Sequence, residues 1–186
     1  MPAQQRRLQI VEAAVETFAE HGYAEATTDQ IAQLGGVSQP YVVRMFGGKH
    51  ALFIAAHNHV FDRIEAAFRA AVEQRGDSLS PLEALGLAYF ELIPDRNLLR
   101  MMQHGFTVAA DPQFGPIGVD CLVRIYRLVR ELAGATVEEA RDFIARGLLI
   151  NTLVTVQLPQ IAGDDPFAAE LVRSAMGAAA QPTAAG

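Results

Sequence analysis

The chain has 186 residues, 51% of them apolar and 19% charged, with a net charge of -6. Such a chain folds as one domain or two closely packed small ones, and its acidic balance argues against indiscriminate binding to nucleic acid or to an acidic membrane. A single cysteine excludes an internal disulfide, no run reaches the ~20 apolar residues of a membrane helix, and the first thirty residues carry charges throughout in place of a signal peptide, so the expected location is cytoplasmic.

The elements read as helices from end to end. Over residues 4–21, Leu8, Val11, Val15 and Phe18 recur at helical spacing on one face, and Gly22 stops the helix. Thr27-x-x-Gln30 fits a capping box and opens a second helix at about Thr28 to Leu34. A third is expected from Ser38 to Phe46, with Ser38 as its cap and Pro40 harmless in its first turn. The "GGK" that follows resembles the end of a phosphate-binding loop, but the positions that need Gly and Ser or Thr hold Val43 and His50, so the nucleotide reading fails. A long fourth helix runs from Lys49 to about Gln74. Ser80-Pro81-x-Glu83, Thr136-x-x-Glu139 and Asp165-Pro166 announce later starts, giving helices at 80–93, 95–109, 116–133, 136–159 and 166–177, and the closing AAAQPTAAG reads as a frayed tail.

Only Gly35, Gly36 and Val37 separate the second and third helices, which is a helix-turn-helix spacing. Gly36 suits the left-handed turn and Val37 the angle between the helices. If Val42 and Phe46 face inward, then Gln39, Pro40, Tyr41 and Arg44 form an outward face. Gln pairs with adenine, Arg with guanine, and the two rings touch thymine methyls, so the face suits a major groove. Residues 1–50 are not basic overall, since Arg6, Arg7, Arg44 and Lys49 stand against Glu12, Glu16, Glu20, Glu25 and Asp29. Placement on one face decides instead. Lys49, the only lysine, lies at a helix start where the dipole disfavours a cation; an anion there compensates, and a DNA phosphate fits, with Thr28 placed to hold another.

Thr28-x-x-Ile31-Ala32, Gly36-Val37-Ser38 and Phe46-x-x-Lys49-x-x-Leu52 together resemble the DNA-binding signature of the TetR family of transcriptional repressors. The resemblance covers roughly residues 6–53 and extends to the rest only in class and length. It implies base contacts from Gln39, Pro40 and Tyr41 and backbone contacts from Thr28, Arg44 and Lys49, with Ser38 counted in the same DNA-binding set. One departure stands out: where the family has Leu-Tyr, this chain has Val42-Val43, and the aromatic group comes earlier as Tyr41.

Past the fourth helix, aromatics and methionines interleave with a few polar groups, a lining that suits a small, mostly apolar ligand as well as it suits a core. Tyr89, Phe90, Met101, Met102, His104, Phe106 and Tyr126 are the candidate ligand-binding residues, His104 serving either a ligand or the core. His57 and His59, two apart on a helix, do not face each other and make no metal pair, and Cys121 reads as a buried small hydrophobe. In GLLINTLVTVQL, at 147–158, apolar residues go almost all the way round, while Ile125, Leu128 and Leu132 form an apolar stripe edged by Arg124, Arg127 and Arg130. Pairing of 116–133 and 136–159 with their symmetry mates gives a four-helix homodimer interface, as in the resembling family.

The expectation is an all-α protein: a helix-turn-helix DNA-binding domain at 1–48, a helical ligand-binding and dimerisation domain at 49–177 entered by the long helix, and a tail at 178–186. Its expected function is that of a repressor released from an inverted-repeat, double-stranded operator by a small-molecule effector. No catalytic constellation, cofactor or metal site appears in the sequence, and no membrane is involved. A helical protein-binding adaptor and a helical-bundle enzyme are the alternatives.

Overall fold

A computed structural model describes residues 2–115 and 117–177; the expected tail at 178–186 lies outside the described residues. All regular structure among the described residues is helical. The elements are α1 (Ala3–Glu25), α2 (Thr28–Leu34), α3 (Gln39–Phe46), α4 (Lys49–Gln74), α5 (Pro81–Leu92), α6 (Arg96–Val108), α7 (Ile117–Ala133), α8 (Val137–Thr155), α9 (Leu158–Ile161) and α10 (Pro166–Met176). Short 3₁₀ turns occupy Pro112–Phe114 and Ala162–Asp164.

The starts follow from local chemistry. Thr27, Ser80 and Thr136 each accept a hydrogen bond from the amide three residues on, while the side chains of Gln30, Glu83 and Glu139 accept one from the cap residue's own amide. Asp165 accepts from the amides of Phe167 and Ala168. Ser38 does not cap α3 with its hydroxyl. The second helical position is Pro40, which has no amide to offer, and the amides of Tyr41 and Val42 both go to the Ser38 carbonyl. The Ser38 hydroxyl is thereby left without a capping bond.

Three other expectations give way. The helix expected at 136–159 ends at Thr155. Pro159 inside a continuing helix would lose the bond to residue 155 and clash with its carbonyl, so the chain turns through Gln157 at φ 59° and restarts as α9. Leu8 is 45% exposed although Val11, Val15 and Phe18 of the same face are buried, because it lines an open cleft between α1 and α4. The stripe of α7 also turns the other way: Leu128 is buried, and Ile125 and Leu132 pack on the chain's own core, so this face is not free for a partner.

Packing sets the long helix as the common wall. In its first turns Leu52, Phe53 and Ala56 are buried with Ile10, Ala14 and Phe18 of α1, Ile31 and Ala32 of α2 and Val42 of α3. Further along, Val60, Phe61, Ile64 and Phe68 are buried among α5, α6 and α7. At 1.5 Å per residue α4 spans about 39 Å, so one rigid element joins both ends of the core. Each fully buried Phe contributes about 1.5–3 kcal/mol by removal from water. Two further contacts tie the ends together. α6 lies along α1, and Phe114 in the turn after α6 packs edge-on against Tyr23 and Phe53, with centroids 4.6 and 5.4 Å apart.

Candidate DNA interface and interior cavity

The turn between α2 and α3 is built as its residues require. Gly36 takes φ 62°, and Gly35 lies so near α1 that a Cβ there would touch Ile10 and Ala13 and come within 3.1 Å of the Ile31 carbonyl. Val37 is half-buried in the angle. With Val42 fully buried, Ser38, Pro40 and Arg44 are exposed and Gln39 and Tyr41 half-exposed on the outer side of α3. Phe46 is only half-buried, and the Arg7 guanidinium covers its ring at 4.6 Å. Val43, in place of the family's Tyr, is 37% exposed beside Arg44.

Several side chains of this face orient one another. Gln39 Nε2 donates to Thr28 Oγ1 at 3.1 Å, which ties the start of α3 to the start of α2. Arg44 lies 5.3 Å over the Tyr41 ring, so guanidinium and phenol move as one unit. Lys49 follows Gly47 at φ 89° and Gly48 at φ 130°, two conformations that favour glycine. Its ammonium donates to the Ala24 carbonyl at 3.0 Å and stands 4.7 Å over Tyr23. Two of its three protons remain for an anion at the start of α4.

A cavity of about 690 Å³ opens between α4, α5, α6, α7 and α8. Of the sequence candidates, Tyr89, Phe90, Met102 and Phe106 line it. Met101 does not: it is fully buried on another side of α6. His104 turns to α1, with Nε2 3.4 Å from the Ala19 carbonyl and its ring against Gly22. Tyr126 sits under Arg130, whose Nη1 donates to its hydroxyl at 3.2 Å, away from the lining. One turn of helix separates these groups, and the spacing alone could not tell which stripe of α6 faces the hollow. The sequence reading also passed over Phe61, Ile64 and Phe68 from α4 and Asn151 from α8, all of which line it. Asn151 carried a signal, as an amide in the middle of an apolar run.

His57, fully buried on α4, meets Cys121 of α7 instead of His59: the sulfur lies 3.4 and 3.6 Å from its two ring nitrogens. Burial lowers the His57 pKa to about 4 and pushes the Cys121 thiol up to about 12, so both are neutral at physiological pH. Arg124 pairs with Asp62 and Glu65 of α4 at 2.7 and 2.6 Å, which fastens α7 to the long helix; hydrogen bonds from Arg124 and then Arg69 hold the Glu65 carboxyl below its usual range.

A helix-turn-helix with an open outer face, carried at one end of a helix whose other end walls a cavity, is the layout of a DNA-binding transcription regulator. Residues 10–56 match the model of the bacterial regulatory proteins of the tetR family. The match identifies the helix-turn-helix segment as a TetR-family DNA-binding motif. The chain is 33% identical over 93 residues to the HTH-type transcriptional activator FasR of Mycolicibacterium smegmatis, covering 50% of this chain and 42% of FasR. It is 33% identical over 69 residues to the HTH-type transcriptional regulator BetI of Brucella canis, covering 37% and 35%. The matched stretches thus span less than half the length of these relatives. Among solved structures, a TetR-like transcriptional regulator from Rhodococcus sp. RHA1 superposes with a TM-score of 0.63 at 22% identity, covering 98% of this chain and 100% of that one. The fatty acid degradation regulator FadR from Bacillus halodurans gives 0.61 at 19% identity, covering 91% and 95%. These two likenesses establish the shared fold. No helix among the described residues is long and apolar enough to cross a membrane.

Proposed function

We propose that the chain is a homodimeric repressor that binds an inverted-repeat operator and leaves it when a small, mostly apolar ligand fills the cavity. Residues 1–48 act as the reading head and 49–177 as the ligand-binding and dimerising body. Gln39, Pro40 and Tyr41 face the bases, with Arg44 at their edge, while Thr28, Ser38 and Lys49 hold phosphates.

One observation carries the ligand response. α6 has two working sides: Met102 and Phe106 line the cavity, and His104, midway between them in sequence and so on the other side of the helix, rests on Ala19 and Gly22 of α1. A ligand that displaces α6 therefore presses on the helix against which the helix-turn-helix is packed. α4 gives a second path, since Phe61 and Phe68 line the cavity and Leu52 and Phe53 sit in the core below α3.

A second copy of the chain is the partner that the remaining apolar surface fits. On α8, Leu148, Leu149 and Val156 are exposed, and on α10 Phe167 is 82% exposed and Leu171 41%. The two helices are held together by Arg146 Nε on the Ala175 carbonyl at 2.6 Å. Such a surface supports pairing through α8 with α10, in place of the Ile125, Leu128 and Leu132 face of α7. Selection of bound duplexes from random DNA tests the reading: recovery of an inverted repeat whose half-sites lie about one helical turn apart, ~34 Å, is expected. Recovery of no preferred sequence would leave the adaptor reading in its place. Activation instead of repression, which the name of FasR makes a specific alternative, depends on where the operator lies and is separated by a reporter assay.

A further inference from the structure

The interior of the cavity is apolar, formed by Phe61, Phe68, Met102, Phe106, Ile125 and Ile150. One polar pair interrupts it. The Tyr89 hydroxyl of α5 donates to Asn151 Oδ1 of α8; both residues line the cavity, and they are only 8% and 1% exposed. Burial raises the Tyr89 pKa, so the phenol keeps its proton and has that one proton to give. This bond fixes the amide: its oxygen serves Tyr89, and its nitrogen has no hydrogen-bond partner among the described residues. The amide belongs to a residue that lines the cavity, so its donors are free to meet an acceptor there, which a leucine at this place in GLLINTLVTVQL could not do. The arrangement makes sense when the acceptor comes from a ligand.

Charge narrows the kind of acceptor. Glu83, Glu139 and Asp142 stand at the exposed rim with Arg146 as the single cation of the lining, a balance of -3 and +1, or -2. Arg146 is partly committed already, through Nε, to the Ala175 carbonyl. Among the described residues no cation lies deeper. An ionised carboxylate that reached Asn151 would pass an acidic mouth and then be buried without a counter-charge, whereas a neutral carbonyl meets neither obstacle.

We propose that Asn151, oriented by Tyr89, is the polar anchor of the cavity, and that its ligand is a neutral apolar compound bearing a carbonyl acceptor, as in an ester or amide, and not a free acid. The assignment rests on the reading of this cavity as a ligand site. Methyl octanoate, octanoate and octane share a chain and differ at the head, so titrating each into the full chain by calorimetry separates the two claims. The ester is expected to bind about tenfold more tightly than octanoate. Asn151→Leu should weaken the ester about tenfold, equivalent to ~1.4 kcal/mol, and leave octane unchanged. If that variant fails to fold because the Tyr89 hydroxyl is stranded, the double variant Tyr89→Phe, Asn151→Leu removes both partners at once and should hold octane while losing the preference for the ester. Octanoate binding as tightly as the ester, or ester binding indifferent to the loss of Asn151, overturns the anchor while octane binding keeps the cavity as a ligand site. Failure of all three to bind removes the ligand site and the anchor with it.

Discussion

Gly105 of α6 lies directly against the imidazole of His57 on α4, so close that a Cβ at residue 105 would collide with the ring. The absence of a side chain at one position is thus the condition for a buried histidine at the other. His57 cannot swing clear, because Phe53 and Phe61 flank it at centroid distances of 6.3 and 4.9 Å and Cys121 covers its face. Gly105→Ala should destabilise the fold by about 1–3 kcal/mol through overpacking. Urea unfolding of Gly105→Ala, His57→Ala and the double variant checks it: the double should lose clearly less than the sum of the singles, because the smaller residue 57 makes room for the new methyl.

The same burial gives a pH dependence whose sign can be worked out. The folded-state pKa of His57 is about 4, below its ordinary value of 6.5, because charging it inside the core loses hydration. Above pH 6.5 it is neutral in both folded and unfolded chains, and its full contribution is present. As pH falls from 6.5 towards 4 the unfolded chain takes up a proton that the folded chain refuses, so stability drops by up to about 1.4 kcal/mol per pH unit. Denaturation at pH 7.5 and 5.5 should show the loss in the natural chain, and His57→Gln should show a smaller one. An identical loss in both would mean that other groups govern this window.

Most of this helical layout was legible because its signals are local. Thr27, Ser80 and Thr136 advertise their helices within four residues, and Gly36 with Val37 marks the turn that aims α3. What the sequence withheld was which way a stripe faces. Ile125, Leu128 and Leu132 look the same whether they meet a partner or the chain's own core, and only the packing distinguishes them. His104 and Phe106 stand two apart on one helix, yet one rests on α1 and the other lines the cavity. The His57 and Cys121 contact joins residues 64 apart in sequence, a distance over which no periodicity speaks. Asn151 was visible as an anomaly in an apolar run, but its meaning needed Tyr89 opposite.

On the DNA face, Lys49→Ala should weaken binding to all duplexes alike and reduce the salt slope by about 0.9, the loss of one phosphate contact. Arg44→Ala and Tyr41→Ala should also change the preferred bases, and because the two side chains stack, the double variant should shift preference little further than either single. Gel-shift titrations across a randomised half-site at several salt concentrations measure both quantities. Uniform weakening by all three substitutions would remove Arg44 and Tyr41 from the reading face.

Association is expected to depend on the exposed apolar surface of α8 and α10. Leu149→Glu places a charge where a second copy would bury it, while in the free chain the residue is already 37% exposed. The variant should retain its helicity and sediment as a monomer in ultracentrifugation, and it should bind a full inverted repeat no better than a half-site. Val123→Glu on the exposed side of α7 serves as the comparison, with dimerisation retained. Monomer formation by Val123→Glu alone would move the interface to α7.

The ligand response must obey linkage, and this sets the strictest requirement. α6 and α4 join the cavity to the helix-turn-helix, and in a dimer any tilt of α4 changes the separation of two α3 helices that must match one turn of DNA, ~34 Å. A ligand shifts this equilibrium only by as much as it prefers the state with the wrong spacing. With a coupling of ~1–3 kcal/mol, operator affinity falls about 5- to 150-fold, and operator DNA must weaken ligand binding by the same factor. A substitution that weakens the mechanical path without touching the cavity should reduce both effects together. His104→Ala weakens that path, since it removes the imidazole that rests on Ala19 and Gly22 and lies outside the lining. Ligand titrations of the free dimer and of the DNA-bound dimer, in the natural chain and in His104→Ala, give the four affinities required. The expected outcome is unequal affinities in the natural chain and a smaller ratio in the variant. Equal affinities in the natural chain would leave a DNA-binding protein that does not respond to its cavity, and an undiminished ratio in the variant would assign the transmission to α4 or to the rest of the α1–α6 packing.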